Sequence, residues 1–290
     1  MPALRYVERP TGTARVGAGA IEYRLERRGE ATVVVFHGGH VRAGLPIGEE
    51  VFAELGCSIL APSRPGYGRT PLGTGTSPAG FADATYELCR QLGIDTVAAA
   101  VGISGGGPTA LTMAARHPDL SRRLILESAV GFLPWPDRGT RIGARVLFNS
   151  FTERITWAVV RGLLRLGPTA GLRFMMRSLS TEPPTRVVAA LSDEDRATLI
   201  ALFSHMRSGS GFVNDLRPTP DVTREIVQPV LVIATPKDGQ VPFAHAQSLV
   251  ARLPHAELVV SAADSHLIWF GADYRLTAEK IRNFLSTAVS

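Results

Sequence analysis

Short runs that are apolar almost throughout alternate along this chain with longer stretches whose apolar positions recur at helical spacing. The short runs predict strands near 20–26, 32–36, 57–62, 96–103, 123–128, 229–235 and 256–261. The longer stretches predict helices near 78–93, 105–117, 242–253 and 274–288. Strands apolar on both faces belong to a parallel sheet covered by helices on both sides, so the fold class is α/β. The alternation stops near 129 and resumes near 228. Between these points no run reads as a strand, while Ile142, Val146, Phe148, Phe151, Ile155, Val159, Leu163 and Leu166 keep helical spacing. The expected organisation is an α/β core from 1–129 and 228–290 with a helical insertion over 130–227.

Composition narrows the class little. The 290 residues are 45% hydrophobic and 20% charged, ordinary globular values. The net charge of +5 is an arginine effect, since Lys237 and Lys280 are the only lysines. The arginines are scattered and form no basic block, which argues against nucleic acid as a partner and leaves a small molecule as the expected one. Cys57 and Cys89 have no second ligand at metal spacing and read as small core hydrophobes. The N-terminus lacks the apolar stretch of a signal peptide, and no run approaches the roughly 18 apolar residues of a membrane span. A soluble, cytoplasmic protein is the expectation, and its oligomeric state is not legible.

Candidate chemistry centres on Ser104. It lies in V-G-I-S-G-G-G, directly after an apolar strand and directly before a helical stretch. A serine on so tight a strand-to-helix turn is held in a strained conformation, and the residues two before and two after it must be small. Gly102 and Gly106 meet that need. A second glycine turn, at 37–40, follows an earlier strand. Its backbone N–H groups and that of Gly105 can hold the charge that develops on a carbonyl oxygen during acyl transfer. Gly39 and Gly105 are the candidate donors, with His40 the alternative to Gly39.

A serine hydroxyl needs a base to take its proton. Among seven histidines, His266 follows the last strand and so falls at the sheet edge where α/β proteins place their sites. His117, His205, His245 and His255 read as structural or solvated, and His37 as a support of the glycine turn. The base needs a carboxylate to fix its tautomer. Asp238, after the penultimate strand, is the candidate, and Glu127, at the end of the strand after the serine's helix, is its rival. Asp264 is too close in sequence to His266 to orient the ring from behind.

With H-G-G at 37–39, S-R-P-G-Y-G-R-T at 63–70, G-I-S-G-G at 102–106, K-D-G-Q-V-P at 237–242 and S-H-L-I-W-F-G at 265–271, the chain resembles the α/β-hydrolase superfamily. Its likeness is to the cap-bearing group of esterases, proline iminopeptidases, C–C hydrolases and haloperoxidases. The resemblance implies Ser104 as nucleophile, Asp238 as acid, His266 as base, backbone oxyanion donors at Gly39 and Gly105, and no cofactor or metal. H-G-G-H in place of H-G-G-P-G weakens the peptidase reading, and serine at the nucleophile position disfavours dehalogenases and epoxide hydrolases.

The same resemblance implies that the insertion is a lid. Trp135, Phe148, Phe151, Trp157, Phe174, Met175 and Met176 would then either line an acyl pocket or pack lid against core. Arg154, Arg161 and Arg165 recur at helical spacing, as a solvated face, a carboxylate anchor or a membrane-surface stripe. Asn214 and Asp215 lie in a run, G-S-G-F-V-N-D-L, that returns the chain to the core. The expected activity is hydrolysis of a small to medium, largely apolar ester through an acyl-enzyme. The alternatives are the same triad on a C–C, thioester or amide bond, or in peroxidation, and a ligand receptor without turnover.

Overall fold

All seven predicted strands are present, and an eighth precedes them. The structure, a computed structural model, describes residues 8–136, 138–149 and 151–287. Its strands are β1 (Gly12–Val16), β2 (Gly19–Glu26), β3 (Thr32–Phe36), β4 (Ser58–Pro62), β5 (Ala99–Ile103), β6 (Leu124–Glu127), β7 (Val230–Ala234) and β8 (Ala256–Val260). They form one sheet in the order β1-β2-β4-β3-β5-β6-β7-β8. β1–β2 and β2–β4 pair antiparallel and every other pair is parallel. β1 escapes the hydrophobic pattern because it is an edge strand, exposed over most of its length.

The helices of the core are α1 (Glu50–Glu54), α2 (Pro78–Gln91), α3 (Gly107–Arg116), α10 (Ala244–Arg252) and α11 (Tyr274–Ser286). The end of the predicted 274–288 helix falls at the limit of the described residues. Side chains of the central strands alternate between two apolar layers. Val33 and Val35 enter one layer, shared with Phe52 of α1 and Ile281 of α11. Val34 and Phe36 enter the other, shared with α2, α3 and Leu249 of α10. Both cysteines are buried and unpaired.

Among the described residues six α-helices run between β6 and β7: α4 (Arg138–Leu147), α5 (Glu153–Leu166), α6 (Pro168–Leu179), α7 (Pro184–Ala190), α8 (Asp193–His205) and α9 (Gly211–Asp215). Trp157, Val160, Leu164, Leu172, Met176 and Leu202 bury into the first of the two layers, so the insertion shares a core with the sheet. The helical spacing read from the sequence, however, marks the opposite face. Ile142, Val146, Phe151, Ile155, Val159, Leu163 and Leu166 are exposed. α5 is apolar on two sides, and the pattern picked out the outer one. Among the described residues no helix is long and apolar enough to cross a membrane.

Candidate active site

Parallel pairing from β3 to β8 sends the C-terminal ends of β5, β6, β7 and β8 to one edge of the sheet. Ser104 follows β5 directly and opens a single 3-10 turn, Ser104–Gly106, that leads into α3. Its φ is +50°, a left-handed conformation that costs a non-glycine residue about 1–3 kcal/mol. The flanking glycines explain why the turn holds. A Cβ on Gly102 would come within 2.7 Å of the Ala110 side chain, and one on Gly106 within 1.9 Å of the Phe36 carbonyl oxygen. The Ser104 carbonyl accepts from Val130 N at 2.9 Å.

The 37–40 turn packs against this serine. A Cβ on Gly38 would lie 2.8 Å from the Ser104 Cβ, and one on Gly105 would lie 3.6 Å from Gly39 N. Gly39 N therefore borders the turn after Ser104. The His40 ring is taken up elsewhere: it sits among Phe148, Trp157 and Phe212, with Nδ1 2.7 Å from Ser208 Oγ. Burial pushes the His40 imidazole down to about 3, with Arg64 adding to the shift, so it is neutral. His37 supports the turn through a buried contact of 2.9 Å between Nε2 and Glu49, which Arg24 also grips.

His266 and Asp238 are both buried, and His266 Nδ1 donates to Asp238 Oδ2 at 2.6 Å. A carboxylate can only accept, so this bond puts the ring proton on Nδ1 and leaves Nε2 a free lone pair. The other Asp238 oxygen accepts from Gln240 N at 2.7 Å and Val241 N at 2.9 Å. Ser128 Oγ donates to the His266 carbonyl at 2.9 Å. The stretch from Ser128 to Val130 is thus bonded to the backbones of both His266 and Ser104. From the insertion, Leu179 O accepts from His266 N at 2.7 Å and from Gly239 N at 3.3 Å.

The rival acid is engaged with another partner. Glu127 is buried at the end of β6, where its Oε2 accepts from Trp269 Nε1 at 3.0 Å and its Oε1 has no hydrogen-bond partner among the described residues. Burial pushes this carboxyl up to about 8, the Trp269 bond opposes the shift, and Glu50 adds to it. A folded-state value raised above the ordinary carboxylate range means that the unfolded chain releases its proton first. The contribution of Glu127 to stability is therefore fully present below about pH 4 and is lost as pH rises towards 8. Glu127→Gln should remove this loss, so that urea midpoints at pH 5 and pH 8 converge and the variant is the more stable protein at pH 8 by a few kcal/mol. An unchanged difference between the two midpoints would contradict it.

Sequence reasoning missed one buried pair. Arg64 donates to Asp215 at 2.6 and 2.8 Å and to the His37 carbonyl at 2.7 Å, while Tyr67 Oη donates to Asp215 at 2.6 Å. Phe212, on the same short helix as Asp215, closes on Gly39: a Cβ there would meet its ring at 2.9 Å. These partners are 151 positions apart, and no local pattern announces them. Beside them a cavity of about 160 Å³ opens against Gly105, lined by Arg64, Phe81, Pro108, Asn214 and Asp215. Neither Ser104 nor His266 lines it. The remaining histidines take structural places: His245 Nδ1 accepts from Gly131 N, and His117 stacks on Tyr86 and contacts Asp83. Asp264 pairs with Lys237. Among the described residues no group of three or more His, Cys, Asp or Glu could hold a metal.

Known proteins agree with this architecture. An uncharacterized hydrolase of Bacillus subtilis (strain 168), YcgS, is 31% identical over 287 residues, which is 97% of this chain and all of that protein. An alpha/beta hydrolase fold protein from Nakamurella multipartita superposes with a TM-score of 0.79 at 23% identity, covering 95% of this chain and 99% of its own. The esterase RhEst1 from Rhodococcus sp. ECU1013 does so with a TM-score of 0.71 at 17% identity, covering 97% and 99%. At these identities the two solved structures speak for the fold alone. The sequence profile of the alpha/beta hydrolase fold family matches residues 31–272. By that match and the relative that spans its length, the chain belongs to the alpha/beta hydrolase fold family and is a hydrolase.

Proposed function

We propose that the chain is a serine hydrolase of small to medium, largely apolar carboxylic esters, acting through Ser104, His266 and Asp238. The observation that carries this reading is the buried His266–Asp238 bond, which leaves Nε2 free at the sheet edge that also bears Ser104. In the proposed reaction Nε2 takes the Ser104 proton as Oγ attacks the ester carbonyl. The resulting oxyanion accepts from the N–H groups of Gly39 and Gly105. Collapse expels the alcohol, which takes its proton from His266. A water molecule deprotonated by His266 then attacks the acyl-enzyme, and Ser104 leaves with its proton restored.

In this reading the insertion 130–227 is a cap over the serine. Its contacts support that role: Leu179 bonds the His266 and Gly239 backbones, and Phe212 lies on Gly39. The apolar character of the substrate rests on Phe148, Trp157 and Phe212 around the turn that carries the proposed donor. The bond cleaved is tested by comparing kcat/KM on a p-nitrophenyl acyl ester, the matching thioester and a vinylogous diketone. The ester is expected to be the best substrate. Faster turnover of either alternative would reassign the reaction while keeping the same residues.

A further inference from the structure

The outer face of the insertion is unlike the rest of the surface. Nine of the fourteen large hydrophobic side chains exposed among the described residues fall between 142 and 174. Phe151, at the corner between α4 and α5, is 85% exposed, and Leu166, at the end of α5, is 92% exposed. Single exposed hydrophobics are ordinary, but a contiguous set marks a surface that meets something apolar. Ile155, Val159, Leu163 and Leu166 lie within about 80° of one another around α5, at 100° per residue. The buried face, with Trp157, Val160 and Leu164, points elsewhere. The stripe is therefore not core packing that went unfinished.

Its charge is equally one-sided. Residues 133–180 contain eight arginines, no lysine and two acids, Asp137 and Glu153. The entire net charge of +5 is accounted for by this segment. Glu153 is buried and accepts from Ser208 N at 2.8 Å, so it does not offset the surface arginines. Arg154, Arg161 and Arg165 lie together between the apolar stripe and the buried face of α5. Among the described residues, exposed Arg145, Arg154, Arg165, Arg173 and Arg177 make no ion pair, although most arginines in the core are paired.

An apolar helical stripe flanked by unpaired arginines is the pattern of a helix that lies in a lipid interface. We propose that the outer face of α4 and α5 docks on an anionic lipid surface. Phe151, Ile155, Val159 and Leu166 enter the acyl boundary, and the flanking arginines reach the headgroups by extending their side chains. A second copy of the chain fits less well, because a two-fold contact would set the same arginines against each other. This inference does not depend on the catalytic reading, since its test needs no turnover.

The test is co-sedimentation of the full chain with vesicles of phosphatidylcholine alone and with phosphatidylglycerol added, at low and high salt. Binding should require the anionic lipid and weaken with salt. Arg145→Gln, Arg154→Gln and Arg165→Gln combined should lower partitioning roughly a hundredfold, at about fivefold per arginine. Phe151→Ser, Ile155→Asn and Leu166→Asn combined should lower it by roughly tenfold or more, with the melting temperature unchanged because these side chains are exposed. Absence of binding, indifference to phosphatidylglycerol, or variants that partition like the wild type would overturn the proposal. So would self-association abolished by the apolar variants without any vesicle binding.

Discussion

Ser104→Ala is expected to lower kcat on an acyl ester by about 10⁶-fold, leaving only the contribution of binding and the oxyanion donors. On the proposed mechanism the hydroxyl is the atom that forms the acyl-enzyme, so the loss should fall on kcat with KM little changed. The fold should persist. The turn is held by Gly102, Gly106 and the Val130 bond to the Ser104 carbonyl, and none of these uses the hydroxyl. A fluorophosphonate probe should label the wild type and fail to label the variant at an equal melting temperature. Labelling that survives the substitution would remove Ser104 from the mechanism, and the His266–Asp238 pair would need another nucleophile.

What the sequence reveals depends on whether the cause is local. The strand-to-helix turn at Ser104 is legible because its steric demand falls on residues two positions away, and glycine is the only answer to a carbonyl 1.9 Å from the Cβ position of Gly106. The sheet is legible because strands buried on both faces must be apolar throughout. β1 is not legible, since an exposed edge strand obeys no such demand. Nor is the Arg64–Asp215 pair, whose partners meet only when α9 folds back on the core. The insertion shows the subtler failure. Helical spacing locates α4 and α5, but periodicity alone does not say which apolar face turns inward, and on α5 there are two. The apolar side chains weighed as pocket lining divide accordingly: Trp157 and Met176 are buried, whereas Phe151 and Phe174 face outward.

Asp238→Asn is expected to cost about 10⁴-fold in kcat, the scale seen when a catalytic histidine is held in the wrong tautomer. The size of the effect follows from the other carboxylate oxygen. Gln240 N and Val241 N both donate to Oδ1, so an asparagine must keep its carbonyl oxygen there and turn its amide nitrogen to His266. That nitrogen can only donate, which forces the ring proton from Nδ1 to Nε2 and blocks the position that must accept from Ser104. Glu127→Gln provides the contrast. Its carboxyl is engaged with Trp269 and, among the described residues, makes no hydrogen bond or ion pair with His266, so kcat should stay within about threefold of wild type while stability at pH 8 changes. The two carboxylates are thus expected to divide under measurement, Asp238 affecting rate and Glu127 stability. An Asp238→Asn enzyme within tenfold of wild type, beside a Glu127→Gln enzyme that is crippled, would exchange their roles.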